Sequence, residues 1–256
     1  MLELLSPSEI DRMRPAGHFV AEVLDHLRRR VEPGVNLLDL DAWTEQLIRR
    51  RGATSCYVDY APSFGRGPFG KVICTSVNDA VLHGLPHDYT LREGDLLSLD
   101  FAASVDGWVA DSAISMVVGD TAADEDRHLI DSTRAALDAA VAAATVGHRL
   151  GDVSAAIGSV LTGAGYTVNT QFGGHGVGRT MHQDPHVPNN GRPGRGFPLR
   201  PGLVVALEPW VMAGTDVLRV DPDGWTLRSG NGRNTAHCEH TVAITEDGPQ
   251  ILTQLG

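Results

Sequence analysis

Cysteine is scarce in this chain. Three occur in 256 residues: Cys56, Cys74 and Cys238. No two form a C-x-x-C pair, which excludes a thiolate zinc ribbon, and the odd count fits reduced thiols of a cytoplasmic protein. No stretch approaches the roughly 20 apolar residues that a membrane span needs. The amino terminus, MLELLSPSEIDRMR, lacks the basic start and apolar run of a secretory signal. Basic residues are also in deficit. Lys and Arg total 21 against 32 Asp and Glu, a formal net charge of −11, so nucleic acid is excluded as the main partner because phosphate binding needs a clustered basic face. The Arg28–Arg30 and Arg49–Arg51 runs are short and sit where helices should end, as cations favoured at helix C-termini.

What remains is ordinary for a globular chain. Hydrophobic residues make up 42% and charged residues 21%, enough for a sizeable core. Ser6-Pro7-Ser8-Glu9 reads as a capping box opening a helix to about Arg30, with a kink at Pro15. A second helix, capped by Asp39 or Asp41, should run to Gly52. Residues 61–70 are a Gly/Pro loop, and strand-like runs follow at 71–77 and 80–83. Residues 96–105 and 108–117 are β-patterned around Asp106-Gly107, a hairpin signal. Helices are expected over 124–146 and 150–163, and after residue 167 strands alternate with loops, clearest in LVVALEPWV and HCEHTVAIT. The mixture indicates an α+β class. Each half carries a helix, a loop with a Gly-flanked His (His83-Gly84; Gly174-His175-Gly176) and an acidic strand, which suggests an internal duplication with a site between the halves. Residues 1–256 are expected to form a single domain.

The chemistry starts at the hairpin. A two-residue Asp106-Gly107 turn pairs Val105 with Trp108 and sets Asp100 opposite Ala113. Asp111 then lies diagonally across on the same face, with Cβ atoms about 7–8 Å apart or less. Both acids sit in apolar strands, where paired carboxylates repel and are poorly solvated; bound cations relieve both problems. Glu208, at the end of LVVAL, and Glu239, in HCEHTVAI, repeat the oddity. His175 adds an imidazole between glycines that let backbones approach. Four carboxylates and one imidazole suit a pair of divalent ions, which in such sites lie roughly 3.5–4 Å apart. His83 and His182 are placed for proton transfer or oxyanion stabilisation. Gly65-x-Gly67-x-x-Gly70 matches a dinucleotide fingerprint only nominally, since Pro68 interrupts it and no βαβ unit follows. The His83…His87 and His182…His186 spacings lack the glutamate and the helix of a zincin motif.

In this order and spacing the residues resemble the type I methionine aminopeptidases. The matching segments are SVNDAVLHGLP, LLSLDFAASVDGWVADSA, GGHGVGRTMHQDP, ALEPW and EHTVAIT, and the likeness runs from Ser6 to about Gly248. It implies the short bacterial form and the pita-bread α+β fold, with pseudo-twofold halves around a dinuclear metal cleft. Asp100 would chelate one ion, Asp111 and Glu239 would bridge two, and His175 and Glu208 would complete the second; the metals could be Co, Mn, Fe, Ni or Zn. A water shared by the ions would be the nucleophile, Glu208 the proton shuttle, His182 the oxyanion donor and His83 the contact to the scissile amide. Cys74, Trp225 and Met181, with Tyr57 or Tyr60, would line the methionine pocket.

The implied activity is removal of initiator methionine from nascent proteins and peptides, preferably before a small second residue. The implied partners are peptide N-termini, with a transient ribosome encounter, and the chain is expected to be a cytoplasmic monomer. Two departures stand out: the 57–73 segment is longer than usual, and Gln183-Asp184 replaces an acidic pair. An X-Pro metallopeptidase shares the ligand set but usually carries an extra amino-terminal domain. A non-catalytic binding module of the same fold typically loses ligands.

Overall fold

A computed structural model describes residues 2–63 and 65–255. Helix α1 (Pro7–Arg28) begins where the Ser-x-x-Glu pattern places it: the Ser6 N–H donates to the Glu9 carboxylate at 2.9 Å. It runs on through Pro15, which does not end it. Helix α2 (Leu37–Arg51) is capped by Asn36, whose side-chain oxygen accepts from the Leu38 N–H at 3.0 Å. This corrects the expected cap at Asp39 or Asp41. Asn36 is the residue in extended conformation ahead of the first turn, whereas Asp41 accepts from the Val72 N–H at 2.9 Å and pairs with Lys71. Gly52 ends α2 in the left-handed conformation that favours glycine.

The strands β1 (Thr54–Ser55), β2 (Cys74–Val77) and β3 (Ala80–Leu82) precede the long hairpin of β4 (Leu96–Val105) and β5 (Trp108–Val117). Asp106 and Gly107 both take positive φ, 52° and 75°, as a type I′ turn requires. Val105 pairs with Trp108, Asp100 with Ala113 and Ala102 with Asp111, the register that the turn predicts. Helices α3 (Asp124–Ala143) and α4 (Leu150–Gly163) follow. Helix α3 stops three residues short of the expected end. The Asp152 carboxylate accepts from the Arg149 N–H at the start of α4, at 2.7 Å. The remaining strands are β6 (Gly173–Gly176), β7 (Gln183–Pro188), β8 (Val204–Leu207), β9 (Trp210–Met212), β10 (Leu218–Val220), β11 (Leu227–Ser229), β12 (Thr235–His237), β13 (His240–Thr245) and β14 (Gly248–Ile251).

Each half lays a helix pair on a sheet. In the first, Ala16, Val20, Leu24 and Leu27 of α1 and Leu37, Leu40 and Ile48 of α2 bury against Leu97, Leu99 and Phe101 of β4, in the sheet β1-β4-β2 extended by β5. In the second, Leu129, Ala136 and Ala140 of α3 and Val153, Ile157 and Leu161 of α4 meet Val205, Leu207, Val242 and Ile244 in the sheet β14-β13-β8-β6-β7. Each fully buried large aliphatic side chain contributes about 1.5–3 kcal/mol relative to exposure. The two sheets meet where Ala113 pairs with Glu239 through both backbone hydrogen bonds, at 2.9 and 3.3 Å. A third apolar cluster, with Met13, Trp108, Val204 and Trp225, fills the space beneath that seam.

Candidate metal centre and binding cavity

The hairpin register puts Asp100 and Asp111 on one face, and the Ala113–Glu239 pairing brings Glu239 to it from the other half. The Ser112 hydroxyl donates to the Glu239 carbonyl at 2.6 Å and tightens that crossing. His175 lies on β6 opposite Ala206 of β8, and Glu208 follows β8 directly. A Cβ at Gly174 would strike the Ala206 carbonyl oxygen, and one at Gly176 the Asp184 carbonyl oxygen. The glycines flanking His175 are therefore demanded by close backbone approach.

One cavity of about 240 Å³ gathers Asp100, Asp111, His175, Glu208 and Glu239 together with His83 and His182. Cys74, Met181 and Trp225 line the same space, with Tyr57, Tyr60, Phe69 and Phe172. Asp111, His175 and Glu239 are buried, and each offers one ligand atom within 4.8 Å of the others. His175 Nε2 stands 3.6 Å from Glu208 Oε1 and 4.0 Å from Asp111 Oδ2. His182 packs its ring 4.3 Å from that of His175, centre to centre, and stands exposed at the rim beside Tyr60. His83 holds a positive φ of 55° and meets Phe172 edge-on.

Burial dominates the electrostatics. It lifts Asp100 to about 6. Burial, with the charge of Asp100, lifts Glu208 to about 8. Asp111 and Glu239 are pushed well above the carboxylate range by burial and by their acidic neighbours. Burial, with a smaller push from His182, drives His175 down to about 3 and His83 down to about 4. At neutral pH the His175 ring is therefore neutral. Its Nδ1 is 3.0 Å from the Gly176 carbonyl oxygen, an acceptor, so the proton belongs on Nδ1 and the Nε2 lone pair faces the acids. A lone pair aimed at ionised carboxylate oxygens is repulsive unless a proton or a metal cation lies between them. Glu239 Oε1 is likewise buried without a hydrogen-bond donor. The donor set, oxygen-rich with one imidazole, fits hard-to-borderline divalent ions.

Two neighbours contact the acids in ways that the sequence reading does not assign. His237 is buried, with Nε2 3.9 Å from Glu208 Oε2 and 3.8 Å from Glu239 Oε2. The signal was present in Thr-Ala-His-Cys-Glu: two residues apart on an extended chain, His237 and Glu239 share a face. Tyr57, read only as a pocket residue, donates its hydroxyl hydrogen to Asp100 Oδ1 at 2.7 Å. Phe69, in the loop that follows Gly65, closes on Trp225 edge-on at 5.2 Å.

The sequence model of metallopeptidase family M24 matches residues 11–246. The methionine aminopeptidase of Aquifex aeolicus is 41% identical over 257 residues, spanning 99% of each chain. The crystal structure of methionine aminopeptidase from Thermotoga maritima superposes with a TM-score of 0.94 at 37% identity, covering all of both chains. A prolidase from Pyrococcus furiosus shares the fold at a TM-score of 0.76, with 20% identity and 66% of its chain covered. The architecture is thus the pita-bread α+β fold, and the chain belongs to metallopeptidase family M24, among the methionine aminopeptidases.

Proposed function

We propose that this chain removes the N-terminal methionine from peptides and nascent proteins, preferring a small second residue, as a metal-dependent aminopeptidase built from one catalytic domain. The observation that carries the reading is the His175 Nε2 lone pair directed at the Glu208 and Asp111 carboxylates, at 3.6 and 4.0 Å. Two divalent ions, drawn from Co, Mn, Fe, Ni or Zn, would be held by Asp100, Asp111, His175, Glu208 and Glu239. When bound, they supply Lewis acidity toward the scissile carbonyl and the attacking water.

The side chains supply the rest. Glu208 takes the proton from water and passes it to the departing amine. His182, at the rim, donates to the oxygen on which negative charge develops, and His83 contacts the scissile amide. Cys74, Met181 and Trp225, backed by Tyr60 and Phe69, form an apolar slot for an unbranched side chain. The partners are free peptide N-termini, met in the cytoplasm by a monomer that encounters the ribosome transiently. Among the described residues no helix is long and apolar enough to cross a membrane.

The test is a peptide panel assayed with each metal in turn. Met-Ala-type peptides should be cleaved and X-Pro peptides left intact. Cleavage confined to the X-Pro set would overturn the specificity, and absence of any metal-stimulated cleavage would overturn the enzymatic reading.

A further inference from the structure

Tyr57 is buried at 7% exposure, and its hydroxyl lies between two acids of the cluster, 2.7 Å from Asp100 Oδ1 and 3.4 Å from Asp111 Oδ1. We propose that Tyr57 is a positioning residue of the metal centre, whose hydroxyl holds the Asp100 carboxylate, with Asp111 beside it, in the orientation that receives a divalent cation. The inference rests on the reading of this cluster as a metal site.

Three features lock the phenol in place. The ring of Tyr57 packs edge-on against Phe69, centroids 5.6 Å apart at 62°. Its backbone N–H donates to Ser55 Oγ at 3.1 Å. Ser55 itself pairs with Ala103 of β4, so the segment that delivers the phenol is anchored to the strand that carries Asp100. A thiol is a weak donor, so among the groups outside the acid cluster Tyr57 is the strong hydroxyl donor to Asp100, with Cys74 on the neighbouring strand β2 opposite it. Carboxylates that ligate metals are themselves held by hydrogen bonds, and loss of such a partner typically costs roughly 10–100-fold in metal affinity. A tyrosine serving only as a wall of the methionine pocket would need its ring and not its oxygen.

Tyr57→Phe separates these roles because it keeps the ring. Wild type and variant are stripped with chelator, checked for equal secondary structure by circular dichroism, and titrated with Mn²⁺ by calorimetry. Wild type should bind, and the variant's first ion should bind at least about 10-fold more weakly, with cleavage of a Met-Ala peptide recovering at saturating Mn²⁺. Equal affinities in the two proteins would overturn the proposal. Wild type that binds no ion would overturn the metal reading itself, a distinct result. Fluorine NMR of wild type carrying fluorotyrosine gives a check without substitution. The chain has four tyrosines, and the Tyr57 resonance should move on adding Zn²⁺; four unmoved resonances would also overturn the proposal.

Discussion

Thr241 clasps the backbone of Asp111 from the opposite half of the molecule: its hydroxyl accepts from the Asp111 N–H at 2.9 Å and donates to the Asp111 carbonyl at 2.8 Å. Thr241 is fully buried on β13, so this one side chain ties β5 to the second sheet where the metal-facing acids converge. Thr241→Val keeps the shape and removes both bonds. Each buried backbone group left unpaired costs about 1–3 kcal/mol, and for a chain of this size each kcal/mol lowers Tm by roughly 2–4 °C. Calorimetric scans of metal-stripped protein should show that fall for valine and near-complete recovery for Thr241→Ser. A valine variant as stable as wild type would mean that the clasp contributes nothing.

Asp111 should be indispensable in a different sense. It sits among Asp100, His175 and Glu239, and Asp111→Ala removes the carboxylate that the two-ion reading shares between cations. Metal content by atomic emission should fall in the purified variant and peptidase activity should be lost with it, while the fold persists because the Thr241 clasp grips only the backbone. Full activity in this variant would show that the ligand set has been misassigned.

The hairpin was legible because a type I′ Asp-Gly turn dictates register: once Val105 faces Trp108, the placing of Asp100 and Asp111 follows by alternation. The helix over Leu150–Gly163 was legible for an equally local reason, its period and its acidic first turn. The cap of α2 was misread because Asn36 and Asp39 are both good capping residues, and only the bridge of Asn36 to Thr90 decides which one precedes the first turn. His237 shares a face with Glu239, but its approach to Glu208 comes only with folding, and the hydroxyl of Tyr57 escaped because its partner lies on another strand. Tyr57 reaches Asp100 through β1–β4 pairing, and two-residue β1 is too short to announce itself. The order of the five expected ligands was visible; their meeting in one cavity depends on the Ala113–Glu239 seam, which no local pattern encodes.

His182 packs against His175 at the cavity rim and is not among the expected ligands. Removing one donor to a developing oxyanion costs about 10²–10³-fold in turnover. His182→Ala should lose activity on that scale while metal content and Tm stay at wild-type values. A variant that loses its metal along with its activity would assign His182 to the metal instead.

The pH dependence of the metal-stripped protein follows from buried groups with opposed effects. His83 and His175, pushed down to about 4 and about 3 from an ordinary 6.5, stay neutral in the folded chain while the unfolded chain takes up protons. Their folded-state pKa values are depressed, so their contribution to stability rises with pH until about 6.5, where the unfolded histidines also lose their protons. Glu208, raised to about 8 from 4.5, holds a proton that the unfolded chain has already released. Its contribution is present at low pH and drains away as pH climbs to about 8. Asp100, raised from 3.8 to about 6, acts the same way but is spent by then. Above pH 6.5 the histidines no longer compensate, and Glu208, helped by Asp111 and Glu239, pulls stability down. Thermal scans in chelator should therefore show Tm falling from pH 6.5 to pH 8. With saturating Mn²⁺ that fall should vanish, because the cation replaces the protons, and the gain in Tm on adding metal should grow with pH. A chelated protein whose Tm climbs steadily from pH 6.5 to 8 would show that these carboxyls are ionised and relieved by something other than a metal.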